Sequence, residues 1–145
     1  MLKRLFNIAI AVRDVQEAAA RYERLFGLKL GHIAEWPDLG IRTAMLPVGD
    51  TTVELVQPLE PGKGPVARFL DQHGEGLYIM SLQVDDLEEH TRRLEAAGAR
   101  YVKRPGHYIL GKGAEHHLIA AFLHPKDTGG VAVELAQFLD RGSPA

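Results

Sequence analysis

Hydrophobic residues alternate with polar or small ones in two stretches of the chain, and in each stretch the spacing then changes to that of a helix. The stretches are "FNIAIAVRDVQEAAARYERLFGLKL" and "LYIMSLQVDDLEEHTRRLEAAGARYV". Alternation is typical of a strand with one buried face, and apolar positions three and four apart are typical of a helix. An aspartate suited to capping precedes each helical segment, Asp14 in the first and Asp85 or Asp86 in the second. Gly27 and Gly98 mark where the two helices are expected to end.

A second repeated pattern follows each predicted helix. The segments "TAMLPVGDTTVELVQ" and "AAFLHPKDTGGVAVELAQ" each predict a strand, a tight turn and a second strand. Each half of the chain is therefore predicted to be a β-α-β-β-β module, the first from about residue 5 to 57 and the second from about residue 77 to 138. Residues 58–76 are expected to form a linker and a short helix. These modules predict an α+β fold.

Each module carries one glutamate inside an apolar strand, Glu54 in "TVELVQ" and Glu134 in "VAVELAQ". Alternation places both on the strand face away from the helices, and small residues such as Ala9 and Ser81 are predicted on the same face, where they leave room for a cavity. A buried carboxylate without a partner is costly, and two close together repel and share a proton. We therefore interpret the glutamates as functional. The alternative is that they are remnants bonded to water or to Asn7.

Composition narrows the function classes. The 145 residues are 46% hydrophobic and 25% charged, as in an ordinary single globular domain. A net charge of −2 without a basic tract predicts no nucleic-acid partner, and the apolar runs are too short to cross a membrane. The start "MLKRLFNIAIAV" has basic residues before an apolar run but no small-residue cleavage site, so we expect a first strand and a cytoplasmic protein. The absence of cysteine excludes disulfides and thiolate chemistry.

The paired modules, with "AFLHPKDTGGVAVELAQ" and "HIAEWPDLGIRTAMLPVGDTTVELVQPL", resemble the vicinal oxygen chelate (glyoxalase/bleomycin-resistance/dioxygenase) superfamily. Within it, residues from about 5 to 138 are most similar to the methylmalonyl-CoA epimerases. The resemblance implies one domain over residues 1–145, in which the modules form a cup-shaped mixed sheet. It also implies four metal ligands on the cup floor: His, Glu or Gln, His and Glu on the first, fourth, fifth and eighth strands. Exposed module edges and the resemblance together predict a homodimer.

The four ligand positions of the family correspond here to Asn7, Glu54, Ile79 and Glu134. The two carboxylates are present and the two imidazoles are absent. Three oxygen donors suit a hard cation better than zinc or cobalt. We therefore expect a degenerate metal site with no tightly bound cofactor, a weakly held divalent cation being the alternative.

Two other histidines are candidates to replace the absent ligands. His116 and His117 are expected in a loop before the seventh strand, where one of them either enters the cavity or is solvated. Tyr78 is a candidate for the electrophilic role of the metal, although it is expected to point away from the cup.

The resemblance and the carboxylates together imply an epimerase or isomerase that moves a proton beside the carbonyl of a small carbonyl compound or acyl thioester, without metal. Glu134 and Glu54 are the predicted catalytic residues. The predicted substrate-binding residues are Asn7, Thr43, Met45, Ile79, Ser81, Phe122 and Lys126. Two alternatives stay open: a metal-free binding protein for small molecules of the antibiotic type, whose lining would include Trp36, and a lyase or cyclase of small-metabolite biosynthesis. Dioxygenase and glyoxalase I activities are disfavoured because both need the absent histidines.

Overall fold

The computed structural model describes residues 1–110 and 116–139, without the side chains of residues 103–110 and 116. Among these residues the chain forms strands and helices in the predicted order, which confirms the α+β class and the two β-α-β-β-β modules. The elements are β1 (Leu2–Ala11), α1 (Val15–Phe26), β2 (His32–Trp36), β3 (Ile41–Val48), β4 (Thr51–Pro58), α2 (Gly64–His73), β5 (Gly76–Val84), α3 (Leu87–Ala96), β6 (Tyr101–Leu110), β7 (His116–Leu123) and β8 (Ala132–Phe138).

The chain divides into two compact units. We call Asn7–Tyr78 the first unit, and Met1–Phe6 together with Ile79–Ala145 the second unit. Strand order in the first unit is β2-β3-β4-β1, where β1 and β4 are parallel and the other pairs antiparallel. The second unit repeats this arrangement with the order β6-β7-β8-β5, where β5 and β8 are parallel.

Helix α1 packs on the face of the first sheet that the alternation predicts. Asp14 caps it by accepting hydrogen bonds from the backbone N–H groups of Gln16 and Glu17, and Gly27 ends it in a left-handed conformation with φ of 68°. The buried core between helix and sheet consists of Val12, Val15, Ala18, Ala19, Ala44, Leu46 and Leu55.

Helix α3 packs in the same way in the second unit. Of the two candidate caps, Asp86 accepts from the backbone N–H of Glu89, whereas Asp85 pairs with the terminal amino group of Met1. The core on this side consists of Val84, Leu87, Ala121, Leu123, Val133 and Leu135, with Met80, Leu82 and Leu94 partly buried against it. The faces predicted for β5 and β8 are therefore confirmed.

A glutamine holds the start of each of these two helices. Gln57 Oε1 accepts a 2.9 Å hydrogen bond from the backbone N–H of Val15, and Gln137 Oε1 accepts one of 2.9 Å from Leu87. Each glutamine lies three residues after the glutamate of its module, on β4 or β8. The free N–H groups at a helix start need such acceptors, so these strands anchor the helices that pack on them.

The sequence places His116 and His117 in a loop, and the structure corrects this prediction. His116 and His117 begin β7 and are not in a loop, because they pair with Leu110 and Ile109 of β6. The side chain of His116 lies outside the described residues, as do residues 111–115 and the C-terminal residues 140–145. No helix in the described part of the chain is long and apolar enough to cross a membrane.

Candidate functional site

Glu54 lies on the face of the first sheet that is away from α1. On that face it stands directly opposite Met45 of β3 and pairs with Ala9 of β1. Its Oε2 accepts a 2.8 Å hydrogen bond from Asn7 Nδ2. Burial raises the pKa of Glu54 above its ordinary value of 4.5, and the hydrogen bond from Asn7 lowers it by less. The site therefore favours the protonated form of this carboxyl group.

A row of small residues lies next to Glu54 on the same face. Thr43 stands opposite Val56 on one side and Ala34 on the other, and Val56 pairs with Ala11. Thr43 is buried, and its Oγ1 accepts a 3.1 Å hydrogen bond from the Trp36 indole Nε1. Thr43 and Met45, both predicted substrate-binding residues, thus share a face with Glu54.

Glu134 occupies the equivalent place in the second unit. It pairs with Ser81 of β5 and stands opposite Phe122 of β7. Ser81 Oγ donates a 2.6 Å hydrogen bond to Glu134 Oε2, and Ser81 is fully buried. A hydroxyl bond to an ionised carboxylate is short and strong. Ser81 is a predicted substrate-binding residue, and in the structure its hydroxyl is directed at the carboxylate.

The remaining predicted site residues have different surroundings. Ile79 lies two residues before Ser81 on the same strand face, and it presents only an alkyl group. Tyr78 packs against Phe69 with ring centroids 5.1 Å apart, and burial raises its pKa. Lys126 is exposed in a 3₁₀ turn, Pro125–Asp127, after β7.

The sequence predicts a cavity beside the small residues on this face, but the space beside one of them, Ala136, is filled by other side chains. Ala136, two residues after Glu134, is fully buried under Phe6, Leu118 and Ala120, with Phe122 and Phe138 packed at the edge of this cluster. The rings of Phe6 and Phe138 meet edge to face at 5.1 Å. This face of the second sheet is therefore apolar and aromatic beside the carboxylate. The sequence shows the aromatic residues, but their convergence depends on strand register.

Each unit thus brings part of the predicted site together. The first unit groups Asn7, Glu54, Met45 and Thr43, and the second groups Ser81, Glu134 and Phe122. The prediction that both carboxylates face one cavity stays a prediction. Among the side chains that the structure describes, no three or more from His, Cys, Asp and Glu are grouped as a metal site requires.

Comparison with known proteins places the chain in a family. The model of the Glyoxalase/Bleomycin resistance protein/Dioxygenase superfamily matches residues 6–121, and the chain belongs to this superfamily. Within it the chain is similar to the ethylmalonyl-CoA/methylmalonyl-CoA epimerase of Cereibacter sphaeroides, with 36% identity over 142 residues, 94% of this chain and 99% of that protein. The resemblance predicted from the sequence is confirmed.

Solved structures agree with this relationship. Methylmalonyl-CoA epimerase from Mycobacterium tuberculosis matches with a TM-score of 0.76 and 33% identity, covering 94% of this chain and 88% of that one. The Streptomyces coelicolor methylmalonyl-CoA epimerase, solved in complex with 2-nitronate-propionyl-CoA, matches with a TM-score of 0.79 and 25% identity over 97% of this chain and all of that one. The protein is an epimerase-like member of the superfamily.

Proposed function

We propose that this protein transfers a proton at the carbon beside the carbonyl of an acyl thioester, an epimerase-type reaction. The observation that carries the proposal is the pair of glutamates at equivalent register positions of the two units, with Glu54 accepting a hydrogen bond from Asn7 and Glu134 accepting one from Ser81. The relatives support the substrate class, since they are named as epimerases of CoA thioesters and one was solved with a CoA compound.

Glu134 is the proposed general base. Its carboxyl group accepts the hydrogen bond from Ser81, which fixes the direction of Oε2. A carboxylate held in this way is suited to removing a proton beside a carbonyl, provided that the substrate comes within hydrogen-bond reach.

Glu54 is proposed to act in its protonated form. Because burial raises its pKa, the group favours a bound proton more than an exposed glutamate does. A neutral carboxyl group donates a hydrogen bond to an oxygen on which negative charge develops, as in an enolate, and it returns a proton to carbon. These two roles require both carboxylates to reach one substrate, as the sequence predicts.

The proposed reaction uses no tightly held transition metal. The residues at the four positions implied by the family offer one amide, two carboxylates and one alkyl group, instead of two imidazoles and two oxygen donors. The amide nitrogen of Asn7, which carries hydrogens and binds no cation, is directed at Glu54. This donor set does not fit zinc or cobalt. A weakly bound divalent cation on the carboxylates stays the alternative.

Hydrogen–deuterium exchange tests the proposal. The protein is treated with a chelator, dialysed and incubated in D₂O with methylmalonyl-CoA, and deuterium at the carbon beside the thioester carbonyl is followed by mass spectrometry. We expect exchange that a chelator does not abolish. Exchange that appears only after addition of a stoichiometric divalent metal would contradict the metal-free assignment. The absence of exchange with methylmalonyl-CoA and ethylmalonyl-CoA would contradict the reaction.

Binding without turnover is the second candidate function. It is supported by Phe122, which stands opposite Glu134 at the edge of the aromatic cluster of the second unit. A hydrophobic drug that raises the melting temperature of the protein, in the absence of any thioester exchange, would favour this candidate.

The homodimer and the cytoplasmic location remain predictions. Sedimentation of the purified protein tests whether it is a homodimer.

A further inference from the structure

The surroundings of Glu54 differ on its two sides along the strands. On one side lies Asn7, whose amide is bonded to the carboxylate. On the other side lies the row of small residues around Thr43, two positions further along each strand. Two residues of a strand span about 7 Å, so this row begins within reach of a short alkyl chain held beside Glu54.

Trp36 occupies the space above that row. It lies on the same face, two residues beyond Ala34, and its indole N–H donates to the hydroxyl of Thr43. Thr43 is 1% exposed and Val56 3% exposed, so the row is covered, whereas Trp36 itself is partly exposed. Side chains as small as alanine and threonine would leave a gap over the sheet if the indole were absent.

We infer that Trp36 is a specificity-determining residue that limits the size of the substituent on the reacting carbon. The inference rests on the proposed function for the chemistry beside Glu54. A methyl substituent stays within the row of Glu54 and Met45. A longer chain cannot turn toward Asn7 without displacing its hydrogen bond, and in the other direction it meets the indole. The protein therefore accepts methyl-branched acyl thioesters and discriminates against propyl-branched ones.

The hydrogen bond to Thr43 makes this limit rigid. A tryptophan held only by apolar contacts turns to another rotamer when a ligand presses on it, at small cost. Here such a turn removes the indole N–H from the hydroxyl of Thr43, and leaving this buried hydroxyl without its donor is costly. One excess methylene against a fixed wall changes a specificity ratio by about 10-fold to 200-fold.

Binding measurements with two thioesters test the inference. The dissociation constants of methylmalonyl-CoA and propylmalonyl-CoA are measured by calorimetry for the wild type and for Trp36→Ala, and deuterium exchange is followed for the same pairs. We expect the wild type to favour the methyl compound by about 10-fold or more. In Trp36→Ala the ratio should approach one, because the propyl compound binds better while the methyl compound changes little. Trp36→Phe, which keeps a ring but loses the N–H, should give an intermediate ratio and serves if the alanine variant does not fold.

Phe26→Ala is the matched control, since Phe26 is a 67% exposed aromatic residue of the same unit on α1. It should leave the ratio as in the wild type. An unchanged ratio in folded Trp36→Ala and Trp36→Phe would overturn the inference. A shifted binding ratio without exchange in any variant would sustain the size limit and overturn the proposed reaction instead.

Discussion

Asn7 Nδ2 donates a 2.8 Å hydrogen bond to Glu54 Oε2 across the parallel strands β1 and β4. The equivalent glutamate of the second unit, Glu134, is bonded by Ser81 on β5. The donors are not at equivalent positions, because Ala9 stands where Ser81 does and Ile79 stands where Asn7 does. The chain thus repeats the carboxylate and supplies a different partner to each copy, which is consistent with two different roles.

The raised pKa of Glu54 makes the stability of the protein depend on pH in a definite direction. A carboxyl group with a raised folded-state pKa favours folding below its unfolded pKa, and this contribution is lost as pH rises through the folded pKa. Relative to Glu54→Gln, the wild type should therefore lose free energy of unfolding as pH rises above 4.5, the ordinary pKa of glutamate. Urea unfolding at several pH values measures this. Glu23→Gln, at an exposed position of α1, is the control, and a wild-type advantage that grows with pH would refute the assignment.

Ser81 should act by positioning Glu134. Removing its hydroxyl in Ser81→Ala leaves the carboxylate without its 2.6 Å partner, and misplacement of a catalytic group by about 1 Å costs about 100-fold. We expect kcat for thioester exchange to fall about 10-fold to 100-fold with little change in KM, and Ser81→Thr, which keeps the hydroxyl, to recover much of the loss. Thr91→Val removes another buried hydroxyl of the same unit, on α3, and should leave kcat unchanged. A kcat for Ser81→Ala equal to that of Thr91→Val would remove Ser81 from the mechanism.

Local patterns explain which parts of this fold are predictable. The Asp14 cap and the Gly27 stop follow from neighbours in sequence, as does the strand alternation, and all agree with the structure. The bond of Ser81 to Glu134 joins residues 53 positions apart, so it depends on strand register, which the local pattern does not contain. For the same reason the sequence does not decide between Asp85 and Asp86 as the cap of α3, since Asp85 pairs with the terminal amino group of Met1, which is distant in sequence.

The hydrogen bonds that Gln57 and Gln137 accept from the helix starts also depend on strand register, so the local sequence pattern does not predict them. They lead to a prediction about stability. Gln57→Ala and Gln137→Ala each leave the first N–H of a helix without its acceptor. Each should lower the free energy of unfolding by about 1 kcal/mol, the usual value of a capping or partly buried hydrogen bond. Chemical denaturation measures the loss, with the exposed Gln72→Ala on α2 as control. If all three variants unfold alike, the two glutamines do not anchor the helices.

Two of the four ligand positions differ from the family, and this difference predicts how much metal the protein binds. After dialysis we expect less than one equivalent of zinc, cobalt or nickel per chain, since Asn7 and Ile79 stand where the family has imidazoles. The double variant Asn7→His with Ile79→His should raise the affinity for cobalt by orders of magnitude, because imidazole suits this ion. Elemental analysis and cobalt titration measure both. Stoichiometric metal in the dialysed wild type would contradict the prediction, and a double variant that binds no better would show that the residue correspondence is wrong.

The most direct test of the account is the exchange of deuterium into methylmalonyl-CoA by wild type, Glu134→Gln and Glu54→Gln. Glutamine keeps nearly the same volume and removes the ionisable group, so folding should persist, which circular dichroism checks. If Glu134 is the base, its glutamine variant should exchange about 100-fold more slowly or worse, the usual scale of general-base loss. Glu54→Gln should also slow exchange, because the proton that Glu54 donates is lost. Exchange at the wild-type rate in both variants would contradict the catalytic role of the two carboxylates and favour a protein that only binds its ligand.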